Sequence, residues 1–297
     1  MTPLSDLRAS GLFDMTDRIA LVTGGGTGIG LMIAHGFAAN GAKVYIGGRR
    51  KHVLEKSAQE FKGAGQLLPI LMDVTDKSSI IVARDTIAST DGFLDVLVNN
   101  AGQTGPMSLW MADDSAPQNH DAEAFGAGLF TEDKGGWASV FAANAFSTFF
   151  VTTAFLGLLA KGAARHGAYT ASVISITSMG ASSKIAQAHF AYNATKAAAT
   201  HITRMLATEL ARRKIPVRVN ALAPGVFESE MTYFALEKGL ESITQLLGMH
   251  AVPAGRIGSE AEMAGTALWM ASAAGRYLNG QEILIDGGHA TLNPSRL

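Results

Sequence analysis

Cysteine is missing from the 297 residues, which excludes a disulfide, a thiol nucleophile and a thiolate metal site and fits a reducing compartment. Charge is scarce as well. Only 16% of residues are charged, and 24 basic against 25 acidic side chains leave a net charge of −1, which offers no general attraction to nucleic acid or anionic membranes. The eight histidines lie far apart and none sits in a His-Glu-x-x-His pattern, so no metal site is expected. The opening MTPLSDLRASGLFD lacks an apolar run of signal-peptide type, which argues against secretion. Apolar residues, by contrast, are plentiful: at 47% they can fill the core of one soluble globular domain.

A single stretch, Gly135 to Ala160, carries no charge and is long enough to cross a bilayer. It also contains Asn144, Ser147, Thr148, Thr152 and Thr153, and no second segment resembles it. It reads as a helix buried in the core or in a subunit interface, and no membrane partner is expected.

Along the chain, apolar β-branched runs (RIALVTG, KVYIGG, LLPILM, DVLVNN, SVISI, VRVNAL, EILI) alternate with helical segments, among them Ile29–Ala39, His52–Phe61, Ser78–Ser89 and about Ala191–Arg213. That alternation predicts a single-domain, Rossmann-type α/β fold, a doubly wound parallel sheet with helices on both faces. Ser259-Glu260-Ala261-Glu262 fits a capping box opening one further helix. The expected organisation is an N-terminal lead over 1–16, one domain over 17–290 and a tail over 291–297. Two segments exceed what connections need: 104–134, acidic and irregular, and 226–255, apolar and helical in character. Both follow carboxyl ends of strands, where open α/β sheets bind ligands.

LVTGGGTGIG sets Thr23, Gly24, Gly26, Thr27, Gly28, Ile29 and Gly30 between a strand and a helix. Glycines there let the backbone approach a ligand, and free N–H groups at the helix start attract a pyrophosphate. The bland reading is a tight glycine turn. The spacing T-G-x-x-x-G-x-G resembles the short-chain dehydrogenase/reductase family, and further motifs follow in that family's order. The resemblance runs from about Asp17 to Gly288. It implies adenine contacts from Asp73 and Val74, an adenosine site lined by Asn100, Ala101 and Gly102 of NNAG, and nicotinamide contacts from Pro224, Gly225, Val226 and Ser229.

The second strand ends GGRRK, with Gly48 where an acid would accept the ribose hydroxyls of NAD. Arg49 and Arg50 follow, and a guanidinium fork suits a 2′-phosphate, so NADP(H) is the expected cofactor with Arg49 its main contact. The competing reading leaves both arginines facing water.

Tyr192 and Lys196, in FAYNATKAAAT, are four positions apart and share a helix face, so the ammonium can lie near the phenol and stabilise its ionised form. Spacing alone makes them neighbours and no more. In the family a serine on the preceding strand completes the arrangement. Ser178 matches best, fourteen positions before Tyr192 where thirteen is usual, with Thr177 and Ser182 as alternatives. Asn144 matches the fourth catalytic residue, a buried amide able to hold a water that connects Lys196 to solvent. Tyr192 and Lys196 are also expected to contact the cofactor.

The expected activity is NADPH-dependent reduction of a ketone. GLMIAHGF, FESEMT and AAGRYLNGQEILIDGG resemble the rhamnolipid-type 3-oxoacyl reductases of the family, which implies a 3-oxoacyl thioester or another apolar ketone. Met231, Tyr233, Phe234, Leu246, Leu247 and Met249 form either an apolar lid over the substrate or the inner faces of two helices. Two other readings stay open: a dehydrogenase of sugars, polyols or secondary alcohols, and a non-catalytic NADP-binding module. The family implies a homodimer or homotetramer. The ending Ser295-Arg296-Leu297 is a variant of the Ser-Lys-Leu peroxisomal address, so the location is expected to be cytoplasmic or peroxisomal.

Overall fold

In the computed structural model, which describes residues 7–166, 171–232 and 249–293, the apolar runs become seven strands. These are β1 (Ile19–Thr23), β2 (Lys43–Gly48), β3 (Gln66–Leu71), β4 (Val96–Asn99), β5 (Ala171–Ile176), β6 (Val217–Pro224) and β7 (Glu282–Ile285). All pairings are parallel, in the order β3-β2-β1-β4-β5-β6-β7. β1, β4, β5 and β6 are buried along their whole length, as strands must be when helices cover both faces. β3, at one edge, is partly exposed and tolerates Pro69.

Among the described residues the α-helices are α1 (Ala9–Leu12), α2 (Gly28–Ala39), α3 (Lys51–Glu60), α4 (Lys77–Thr90), α5 (Ala122–Phe130), α6 (Lys134–Phe141), α7 (Ser147–Arg165), α8 (Phe190–Arg212), α9 (Glu260–Ala271) and α10 (His289–Leu292). Successive strand residues face opposite layers, so Val22 joins Ile33, Phe37, Met263 and Met270 on one side, and Leu21 joins Ile80, Ile87, Phe155 and Leu159 on the other. The capping box is present: Ser259 Oγ accepts from the Glu262 backbone, and the Glu262 carboxylate accepts from Ser259 N at 2.8 Å.

Two stretches differ from the sequence reading. The acidic 104–134 segment is not wholly irregular, because its acids serve as helix caps. Asp121 accepts from Ala124 N to start α5, and Asp133 accepts from Gly135 N and Gly136 N to start α6. Glu132 between them accepts from Ser108 Oγ at 2.6 Å and Trp137 Nε1 at 2.7 Å, tying the segment together. The uncharged stretch, read as one helix, is interrupted between α6 and α7 by a π turn over Ala142–Phe146. Its 134–165 span is long and apolar enough to cross a membrane, yet it buries Val151, Phe155, Leu158 and Leu159 against the sheet. Tyr233, Phe234, Leu246 and Leu247, and the tripeptide Ser295-Arg296-Leu297, lie outside the described residues.

At the amino ends of β1 and β4 lies a buried carboxylate. Asp95 accepts from Ile19 N at 2.9 Å and pairs with Arg18 at 3.4 Å, and the His166 ring at the end of α7 lies 3.2 Å away with burial holding its pKa down, so it meets the carboxylate uncharged at neutral pH. Asp95→Ala leaves Ile19 N and Arg18 without their acceptor and is expected to lower the unfolding free energy by about 1–3 kcal/mol, less the desolvation cost of the buried carboxylate. A urea titration checks this, and a loss within experimental error would show that the cluster does not hold the sheet's lower edge.

Candidate active site

Six strands, β1 to β6, send their carboxyl ends towards one cleft of about 400 Å³, lined among others by Gly24, Arg49, Asp73, Asn100, Ser178, Tyr192, Lys196 and Pro224. It opens where β1 has β2 on one side and β4 on the other, the point at which the strand order reverses. Crevices of that kind hold ligands in open α/β sheets.

The phosphate turn is locked to the end of β4. Thr23 Oγ1 donates to Val98 O at 3.2 Å and accepts from Asn100 N and Ala101 N at 2.9 and 3.1 Å. The Asn100 amide donates back to Thr23 O at 2.9 Å and Gly24 O at 3.2 Å. Gly24 needs its positive φ of 63°, and a Cβ on Gly30 would lie 2.3 Å from Gly24 O, so neither position has room for a side chain. Thr27 caps α2 without a side-chain hydrogen bond, which leaves the first helical N–H groups to meet an anion. The residues therefore fit a dinucleotide. Asn99, the other asparagine of NNAG, turns away and donates to Thr152 Oγ1 at 2.9 Å.

On the adenosine side, the Asp73 carboxylate accepts from Thr75 N and Oγ1 at 2.9 and 2.7 Å. Arg49 is exposed, with Asp73 at 4.0 Å. Arg50 is not free in water: both arms of its guanidinium donate to Glu230, at 3.0 and 2.8 Å. Ser229 packs against the phosphate turn, its Cβ 2.9 Å from where a Cβ on Gly28 would lie. Ile29, Val74 and Gly225 also sit at strand ends or helix starts around the cleft.

At the other end, Tyr192 and Lys196 enter from the first turns of α8. Lys196 is buried, and its Nζ donates to Ile176 O at 2.9 Å while lying 5.6 Å from the centroid of the Tyr192 ring. Burial pulls its pKa from 10.5 down to about 8. Burial pushes the Tyr192 phenol the other way, upward, and a side-chain hydrogen bond with Ser178 holds it partly back.

The three hydroxyl candidates have different surroundings. Ser178 lines the cleft beside Tyr192. Thr177 spends its hydroxyl on Leu222 O and on Glu282 Oε1 at 3.0 Å, and Ser182 donates locally to Met179 O at 3.3 Å. The connection from Ser178 to α8 turns through two left-handed residues without glycine, Gln187 at φ 55° and Ala188 at φ 59°, a tight reversal just before the helix.

Asn144 lies in the π turn and is buried. Its Oδ1 accepts from Gln103 N at 2.9 Å, and its amide donates to Gln103 O at 2.9 Å and to Thr195 Oγ1 at 3.0 Å. Both amide N–H groups are thus engaged with protein, and a water could rest only on the remaining oxygen lone pair. Gln103 and Ser139, which sequence reasoning did not single out, also line the cleft, and Gln103 Nε2 donates to Ser139 Oγ at 2.7 Å. The only sequence signal for Gln103 is its place directly after NNAG.

A glycine turn at the switch point and a tyrosine, lysine and serine gathered at the far end of the same cleft describe a dinucleotide-dependent oxidoreductase. Comparison with known proteins agrees, and the chain belongs to the short-chain dehydrogenase/reductase family, whose members act on alcohol and carbonyl groups with NAD(P). Residues 24–290 match the family model described as enoyl-(acyl carrier protein) reductase. Over 293 residues the chain is 39% identical to the short-chain dehydrogenase/reductase PhomF of Diaporthe leptostromiformis, covering 97% of each. It is 34% identical to the rhamnolipids biosynthesis 3-oxoacyl-[acyl-carrier-protein] reductase of Pseudomonas aeruginosa, over 93% of this chain and 97% of that one. The solved Pseudomonas aeruginosa RhlG/NADP active-site complex superposes with a TM-score of 0.79 at 33% identity, covering 94% of this chain and 98% of that chain.

The buried Lys196 costs stability. Its folded pKa of about 8 is below the free value of 10.5, so between those pH values the unfolded chain binds more protons and stability rises with pH; below about 8 the full penalty applies. Lys196→Met is therefore expected to raise the unfolding free energy at pH 7 by on the order of 1–3 kcal/mol, less what is lost at the Ile176 carbonyl. The gain should shrink as pH rises past about 8. Denaturant titrations at several pH values check the sign, and a variant less stable than the parent at pH 7 would refute it.

Proposed function

We propose that the protein is an NADPH-dependent ketoreductase that converts an apolar ketone, such as a 3-oxoacyl thioester, into a secondary alcohol. The observation that carries this reading is the convergence of Ser178, Tyr192 and Lys196 in the cleft that also contains the phosphate turn. When bound, the reduced nicotinamide supplies the hydride for the carbonyl carbon. The phenol, held protonated by its burial, donates its proton to the carbonyl oxygen as negative charge develops there. Ser178 hydrogen-bonds and orients that oxygen, and Lys196 supplies positive charge behind the phenol and holds ribose hydroxyls. Asn144 acts by fixing Gln103 and α8 in register.

The 2′-phosphate preference is supported by Gly48 at the end of β2 and by Arg49, which is 74% exposed in its side chain and so open to an incoming phosphate. The apolar side of the substrate site is supported by Ala143, Phe227 and Met231 along the cleft, and by the similarity to the 3-oxoacyl reductase. The Gln103–Ser139 pair favours a second reading, oxidation of a polyol or sugar, since it offers hydrogen bonds to a further hydroxyl. Assembly through α7 and α8 is supported by the exposed Phe146 and Phe149 at the start of one helix and Phe190 and Met205 on the other.

Tyr192→Phe is expected to lower kcat by about a hundred- to ten-thousandfold with NADPH binding retained. Ser178→Ala should be severely impaired while Thr177→Ala and Ser182→Ala keep their chemistry; full activity without the Ser178 hydroxyl would defeat its role. Ketone reduction should decline above about pH 8, where Lys196 loses its charge. Following NADPH and NADH consumption across 3-oxoacyl thioesters, cyclic ketones, diketones and sugars tests the substrate class. Equal or better efficiency with NADH overturns the NADP assignment, and turnover confined to polyols replaces the ketone reading with the second.

A further inference from the structure

The loop after β6 reaches across the cleft to the arginines that follow β2. In Arg50, Nη1 donates to Glu230 Oε1 at 3.0 Å and Nη2 to Glu230 Oε2 at 2.8 Å, the two-armed geometry with which arginine also takes a phosphate. Glu230 is kept in place by a local turn, in which Ser229 N donates to Thr232 Oγ1 at 3.0 Å and Thr232 Oγ1 donates to Phe227 O at 2.6 Å. Arg49, Arg50 and Glu230 all line the cleft. The pair is half exposed, at 52% for Arg50 and 61% for Glu230, so water screens it and an anion of higher charge can displace the carboxylate.

A carboxylate and a 2′-phosphate cannot both occupy one guanidinium fork. We infer that Glu230 is a resident competitor for the 2′-phosphate of the cofactor: it holds Arg50 until a phosphorylated dinucleotide displaces it, and so sets how strongly the protein prefers NADP(H) to NAD(H). Glu230 is a positioning residue that acts through Arg50, and Arg49 carries the phosphate contact that remains while the pair is closed. This rests on the proposed use of NADP(H).

Calorimetric titration with 2′,5′-ADP and 5′-AMP, which differ only in the 2′-phosphate, tests the inference without turnover. Glu230→Gln should bind 2′,5′-ADP about two- to fivefold more tightly than the parent protein and 5′-AMP equally well. The gain should vanish when Arg50→Met is added, which a general loosening of the loop would not produce. Unchanged or weaker 2′,5′-ADP binding by Glu230→Gln, an equal gain for 5′-AMP, or a gain that survives Arg50→Met overturns it. Failure of the cofactor reading shows separately, as a parent protein that binds 5′-AMP as tightly as 2′,5′-ADP.

Discussion

From the π turn between α6 and α7, the carboxamide of Asn144 reaches both backbone groups of Gln103 and the hydroxyl of Thr195, so one buried side chain joins the loop after β4 to the helix that carries Tyr192 and Lys196. The packing around it is close: a Cβ on Gly102 would stand 2.8 Å from Asn144 Oδ1 and 3.7 Å from Lys196 Nζ. A π turn widens the helix at this point, and Asn144 within it is buried among protein partners.

Lys196 and Tyr192 show what such a placement does to protons. Both are enclosed by the same walls, and burial disfavours the charged form of each: the ammonium is driven to about 8 and the phenol upward. The two shifts bring the lysine towards the working pH while keeping the phenol an acid. The Ser178 hydroxyl works against the rise in the phenol. Holding the Lys196 charge in the core therefore costs stability.

Ion pairs in the molecule divide by environment. Asp95, beneath the sheet, is nearly inaccessible and ties the start of β1 to β4 through Ile19 N and Arg18. Arg50 and Glu230, at the rim of the cleft, are open to solvent and to competing anions. The first arrangement is structural because its partners cannot be exchanged for water, and the second is exchangeable for the opposite reason.

Much of this was legible in local sequence. The seven strands, the phosphate turn at Gly24 to Gly30, the capping box at Ser259 and the Tyr192–Lys196 spacing each depend on residues within one element or one turn, where periodicity and backbone preference act directly. α5 was missed because acids that resemble loop composition are helix caps at Asp121 and Asp133. The π turn leaves no mark in an uncharged helical run. Sequence also placed three hydroxyls near the end of β5 without ranking their surroundings; packing did so, turning Thr177 towards Glu282 and leaving Ser178 beside Tyr192. The pairing of Arg50 with Glu230, 180 residues apart, came only from the fold, because a side-chain contact across a cleft depends on where two strand ends meet and not on the residues next to either partner.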